Sequence, residues 1–198
     1  MAGTVTRGTE IPTIDVVLVS IVRNGTENEL ILDTANQIQV TVATETQEKI
    51  PLIVKGRLIA QKPSVTTVTG NTIVLTDNVF IPELVTILQG GTIKYSETEP
   101  RKIIGYTPPV VGSTDKGEIF TLRAYSAIYD AAGIIQGYER IAYPNCQGVP
   151  IALNSQDGVF RASDYTINSA PSNGQAPYDI DIVDTLPVAA AAAQVSNQ

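Results

Sequence analysis

Apolar and polar residues alternate through most of this chain, in short stretches closed by glycine, asparagine or aspartate, which is the pattern of strands with one buried face. Asp15 to Arg23 is nearly continuously apolar instead, as expected of a strand covered on both faces or running between subunits. Ile38, Val40 and Val42 alternate with Gln39 and Thr41. Leu52 to Ala60 resumes extended structure behind Pro51, which belongs on an edge or at a bulge because it cannot donate to a ladder. Asn71 to Asn78 reads as strand. Glu118 to Tyr129 places Phe120, Leu122, Ala124, Ser126 and Ile128 on one face and Ile119, Thr121, Arg123, Tyr125 and Tyr129 on the other. Asp130 to Gly133 then turns it into Ile134 to Tyr143, a long hairpin. Val159 to Ser169 and Tyr178 to Val183 supply further strands, the last with a period of two that directs Asp179 and Asp181 to water or a lumen. Turns are expected at Asn24-Gly25, Gly70-Asn71, Gly90-Gly91, Asp115 to Gly117, Ala131 to Gly133, Asp157-Gly158 and Asn173-Gly174.

One segment breaks the period of two. Between Phe80 and Gly91 the chain writes a short amphipathic helix: Pro82 suits the first helical position, Leu84, Val85, Ile87 and Leu88 form its packing stripe, and Gly90-Gly91 is a stop. A mostly β body with one packed helix predicts a β-sandwich of two antiparallel sheets with a flanking α-helix. Length allows a single domain over 14–186, an N-terminal arm over 1–13 and an Ala-rich tail over 187–198. The ends bury little by themselves, and read either as disorder or as arms that order in an assembly.

Composition narrows the chemistry. The chain has no His, a single Cys and no Trp, which removes the commonest general base and metal ligand, Ser-His and Cys-His pairs, Cys/His zinc sites and any disulfide within the chain. With aromatics at 6%, the core must be Val, Ile and Leu. Formal charge is −7 and unevenly placed. Lys49, Lys55, Arg57 and Lys62 are unopposed by acids in their own segment, whereas Asp164, Asp179, Asp181 and Asp184 follow the last basic residue, Arg161. Unlike surfaces of identical subunits can meet through such a polarity, or the charges are simply solvated. The polar start is not a signal peptide and no apolar run approaches a membrane span, so the product is expected to stay inside the cell that makes it. Asn24-Gly25-Thr26 is then a hairpin turn and not a glycosylation site.

Candidate sites weigh little. Asp179, Asp181 and Asp184 supply hard-metal oxygens, but strand positions two apart sit roughly 7 Å apart with no loop to wrap a cation. Glu97 and Glu99 are a carboxylate pair of the sort glycosidases use, without the Trp that stacks sugar rings. Cys146 has no histidine partner and reads as an inert buried thiol. The glycine pairs lack the following Lys-Ser/Thr of a phosphate loop. No metal, cofactor or catalytic residue is expected, and the chain is expected not to be an enzyme.

Two stretches taken together resemble the phage major tail protein, or tail tube protein, family. Lys55 to Pro63 through Gly70 to Gly91 is similar to its strand, strand, helix unit; Tyr138 to Gly148 with Asp157 to Pro171 is similar to its C-terminal half. Residues 1–36 match the family poorly, and read as an arm or as an extra strand closing between subunits. The resemblance implies a β-sandwich that assembles as six-membered rings stacked into a virion tail tube, through which DNA passes without specific binding, in company with initiator, terminator and tape-measure proteins and made in a bacterial host's cytoplasm. Six copies at −7 would carry roughly −40 per ring, a wall that repels phosphate. It also implies ring-to-ring contacts from a long hairpin, for which Lys49, Lys55, Arg57 and Lys62 are the candidates, with Asp179, Asp181 and Asp184 as acidic partner or lumen positions. The alternative is a virion-displayed β-sandwich adhesion or carbohydrate-binding module, which would need an exposed aromatic platform.

Overall fold

The computed structural model describes residues 10–26, 29–98, 100–114, 116–153, 157–158 and 163–188. Most of the expected arm over 1–13 and tail over 187–198 lies outside these residues, as do Glu99, Asp115 and the start of the strand expected from Val159. The described elements are β1 (Thr13–Arg23), β2 (Glu29–Leu32), β3 (Ala35–Gln47), β4 (Ile50–Val54), β5 (Arg57–Lys62), β6 (Val65–Asp77), α1 (Pro82–Gln89), β7 (Thr92–Tyr95), β8 (Ile103–Thr107), β9 (Phe120–Tyr129), β10 (Ile135–Gly148), β11 (Ser163–Ser169) and β12 (Asp179–Val183).

The body is a β-sandwich made by folding one antiparallel sheet over on itself. Strands run β2-β1-β9-β10-β11-β6-β3 in an 8-stranded sheet, with β12 added on β10. β10 belongs to both layers. Its first part lies between β9 and β12, while Cys146 to Gly148 pairs with β11. The bend falls at Pro144-Asn145, where the register shifts and Asn145 takes φ 50. A proline that cannot donate and an Asn that tolerates the left-handed region are the residue types such a bulge requires. Val19, Ile21, Leu32, Phe120, Leu122, Ile73, Leu75, Tyr165 and Ile167 meet between the layers as an aliphatic core with few rings.

α1 closes this core. Leu84, Val85, Ile87 and Leu88 are at most 1% exposed. Ile81 gives the helix no side-chain cap; Pro82 starts it and Gly90, at φ 80, ends it. Its C-terminal carbonyls are met from outside, the Ile87 oxygen accepting from Glu118 N at 2.8 Å and the Gly90 oxygen from Tyr106 Oη at 2.6 Å. Tyr106 belongs to the small β7–β8 hairpin, which sequence periodicity did not mark. Gly117 and Gly148 let the backbone reach α1, since a Cβ on Gly148 would sit 2.4 Å from Leu88 Cβ.

Several expectations are corrected. Gly70-Asn71 is no turn but the middle of β6; a Cβ on Gly70 would lie 2.4 Å from the Ser169 oxygen, so glycine here serves close approach between strands. Leu52 to Ala60 is not one strand: Lys55 (φ 48) and Gly56 (φ 78) make a two-residue turn with both central residues at positive φ, pairing Val54 with Arg57. β9 starts at Phe120, and β10 runs through Cys146, beyond the expected end at Tyr143. Residues 13–23 are neither a detached arm nor a closing strand at an edge, because β1 is hydrogen-bonded on both sides, to β2 and β9. Leu18, Val19, Ser20 and Ile21 are consecutively buried there, so both faces of β1 are covered.

Candidate functional site

The feature that sets this molecule apart is a projecting hairpin. The inner halves of β3 and β6 belong to the sandwich, but beyond Val42 and Asn71 they pair only with each other, and β4–β5 forms the tip. Every residue from 41 to 69 is exposed. At the strand rise a ribbon of this length spans at most about 40–45 Å.

Its surface is both apolar and basic. Ile50, Leu52, Ile53, Leu58 and Ile59 are 54–65% exposed. Ile53, Leu58 and Ile59 therefore supply no local burial, because a two-stranded ribbon has no second layer to cover either face. Lys55 and Arg57 sit at the tip, while Lys62, opposite Ile50, and Lys49 sit at its base. Covering those five aliphatic side chains would release about 1 kcal/mol or more each, against the modest worth of any single exposed charge pair. Charge was the signal read in this segment. The stronger one was Leu52-Ile53-Val54, apolar on both faces in the manner of Asp15 to Arg23.

The acidic candidates divide. Asp179 and Asp184 are exposed. Asp181 is partly exposed and accepts a hydrogen bond from Arg140 Nη2 on the neighbouring strand. That contact holds the Arg140 guanidinium even more firmly protonated than usual, and Tyr125 flanks it from β9. On the same face Glu29 accepts from Ser20 Oγ at 2.5 Å and from Arg123 Nη1 at 3.2 Å. Arg123 and Arg140 are thus each tied to a carboxylate, and Tyr125 and Ala127 are buried among these side chains. The alternation of β9 is kept, but burial passes from Phe120 and Leu122 on the core side to Tyr125 and Ala127 on the other.

Nothing in this arrangement assembles reactive groups. Cys146 is buried and donates to the Tyr143 oxygen at 3.2 Å; burial pushes its thiol up to about 11. Burial likewise raises the Tyr143 phenol. Two clefts formed by described residues are small, about 150 Å³ beside Leu88, Gly117 and Gly148 and about 310 Å³ beside Gln175 and Tyr178. Among the described residues no group of His, Cys, Asp and Glu could hold a metal ion, and no helix is long and apolar enough to cross a membrane. Glu97 is described but Glu99 is not, so the pair stays without geometry.

No protein-family profile matches the chain, and no curated protein matches it. Among solved structures, it is similar to a chain of the cryo-EM structure of the anti-feeding prophage (AFP) baseplate, 6-fold symmetrised, at 10% identity and a TM-score of 0.36 over 91% of this chain and 98% of that one. At that level the likeness assigns nothing to this chain.

Proposed function

We propose that this protein is a structural subunit and not an enzyme, polymerising as stacked hexameric rings into the tail tube of a phage or phage-like particle. The observation that carries the reading is the arm over residues 41–69, exposed along its whole length and aliphatic on both faces at its β4–β5 tip. A two-stranded ribbon of this length is marginal in water, and an exposed apolar surface of this extent marks a protein contact. The similarity of Lys55 to Gly91 and of Tyr138 to Pro171 to tail tube proteins supplies the kind of assembly, and the arm supplies the long hairpin that such an assembly uses between rings. A net charge of −7 per copy suits a conduit along which DNA slides.

Light scattering across a concentration series and negative-stain microscopy test the reading. Rings and tubes with an open lumen are expected. A subunit that stays monomeric at millimolar concentration, with or without tail initiator proteins, overturns it.

A further inference from the structure

We propose that the arm of one copy is received by the open edge of β12 on a second copy, with β5 adding to β12 as a further strand. The inference rests on the self-assembly reading above and names the surface that completes it.

β12 pairs with β10 on one side, and among the described residues its other edge carries no strand. An unpaired edge is a template for another chain. Its two faces differ. Ile180 and Ile182 lie opposite Ile141 and Glu139, on the core side, yet they are 50% and 59% exposed, an apolar continuation of the core that no second layer covers. Asp179 and Asp181 lie on the other face, and Asp184 follows the strand.

The arm is complementary in each respect. Pro51 removes a backbone donor from β4, whereas β5 has all of its own and an outer edge without a partner. Strand parity then fixes the match. The register of the tip steps from Leu52 opposite Ala60 to Ile53 opposite Leu58, so Ile59 is bulged and Leu58 shares a face with Gln61 while Arg57, Ala60 and Lys62 share the other. With β5 parallel to β12 and Leu58 beside Ile180, Arg57 falls beside Asp179 and Lys62 on the same acidic face. An apolar pair, Leu58 with Ile180, and a cation facing an acid, Arg57 with Asp179, then fall in one register.

Cross-linking between two differently tagged copies tests this, because the native Cys146 is buried and does not compete. Leu58→Cys is mixed with Ile180→Cys, and separately with Ile104→Cys, an exposed aliphatic position on β8. After mild oxidation the mixed disulfide is expected to form at least about tenfold more with Ile180→Cys, since a disulfide tolerates only a few ångströms of error. Equal yields, or a preference for Ile104→Cys, overturn the inference. As a second readout, Arg57→Glu should lower assembly, and Asp179→Lys in the same chain should restore it; failure of that rescue in a folded protein also counts against β12. Assembly of wild-type protein together with no Leu58→Cys to Ile180→Cys bond sinks this inference alone, whereas wild-type protein that never assembles sinks the reading beneath it.

Discussion

Leu88→Ala separates the helix that completes the core from the hairpin that lies outside it. Leu88 is 1% exposed, and one side of it faces the Gly148 backbone, so close that a Cβ there would meet Leu88 Cβ at 2.4 Å. Removing the side chain deletes its transfer energy and leaves a hole that strand backbone cannot collapse to fill, which places the cost in the upper range for such changes, about 3–5 kcal/mol. For a chain of this size that lowers Tm by about 6–20 °C. Urea unfolding followed by far-UV circular dichroism and tyrosine fluorescence reads the change, tyrosine being available eight times with no Trp to mask it. The same substitution at Leu58, which is 58% exposed, should move subunit stability by no more than about 0.5 kcal/mol. A Leu88→Ala loss below about 1 kcal/mol, or a Leu58→Ala loss of equal size, would refute the packing argument for α1.

The other expectations are as follows. Reversing Lys55, Arg57 and Lys62 together to Glu should leave the subunit folded and stop polymer growth, checked by circular dichroism and microscopy; normal tubes at low ionic strength would return these groups to solvent. Gly70→Ala should destabilise the subunit by about 1–3 kcal/mol in urea, because its Cβ would press on the Ser169 oxygen at 2.4 Å. Asp130 accepts from the amides of Ile134 and Ala132, and the Ile134 bond chiefly holds its carboxyl below the ordinary 3.8. Its stabilisation is therefore present above the unfolded pKa and lost as pH falls through the lower folded value, so Tm of Asp130→Ala should trail wild type at pH 7 and converge with it below pH 3.8. Cys146 should react with a thiol reagent at pH 8 only on unfolding; rapid labelling of native protein would contradict its burial.

What the residues settled alone was local. Pro82, the stripe from Leu84 to Leu88 and the glycine pair define a helix wherever they are placed, because capping and periodicity act within a few residues. Val, Ile and Leu at alternate positions, with no Trp and few rings, likewise commit the chain to strands. Which face of a strand is buried is a different matter, since it depends on what lies across the sheet. β9 keeps its period of two from Phe120 to Tyr129, yet burial changes sides because the second layer covers Phe120 and Leu122, while Arg140 and its neighbours cover Tyr125. The same holds for glycine: at Gly90 it ends a helix, but at Gly70 it admits the Ser169 carbonyl, a strand that lies far away in the chain. It holds for charge, where Asp181 and Asp179 read alike until β10 brings Arg140 to one of them. The arm shows the limit most plainly. Leu52, Ile53, Leu58 and Ile59 have the composition of a buried strand, and they are exposed because, among the described residues, no second layer lies over them, which only the tertiary structure decides.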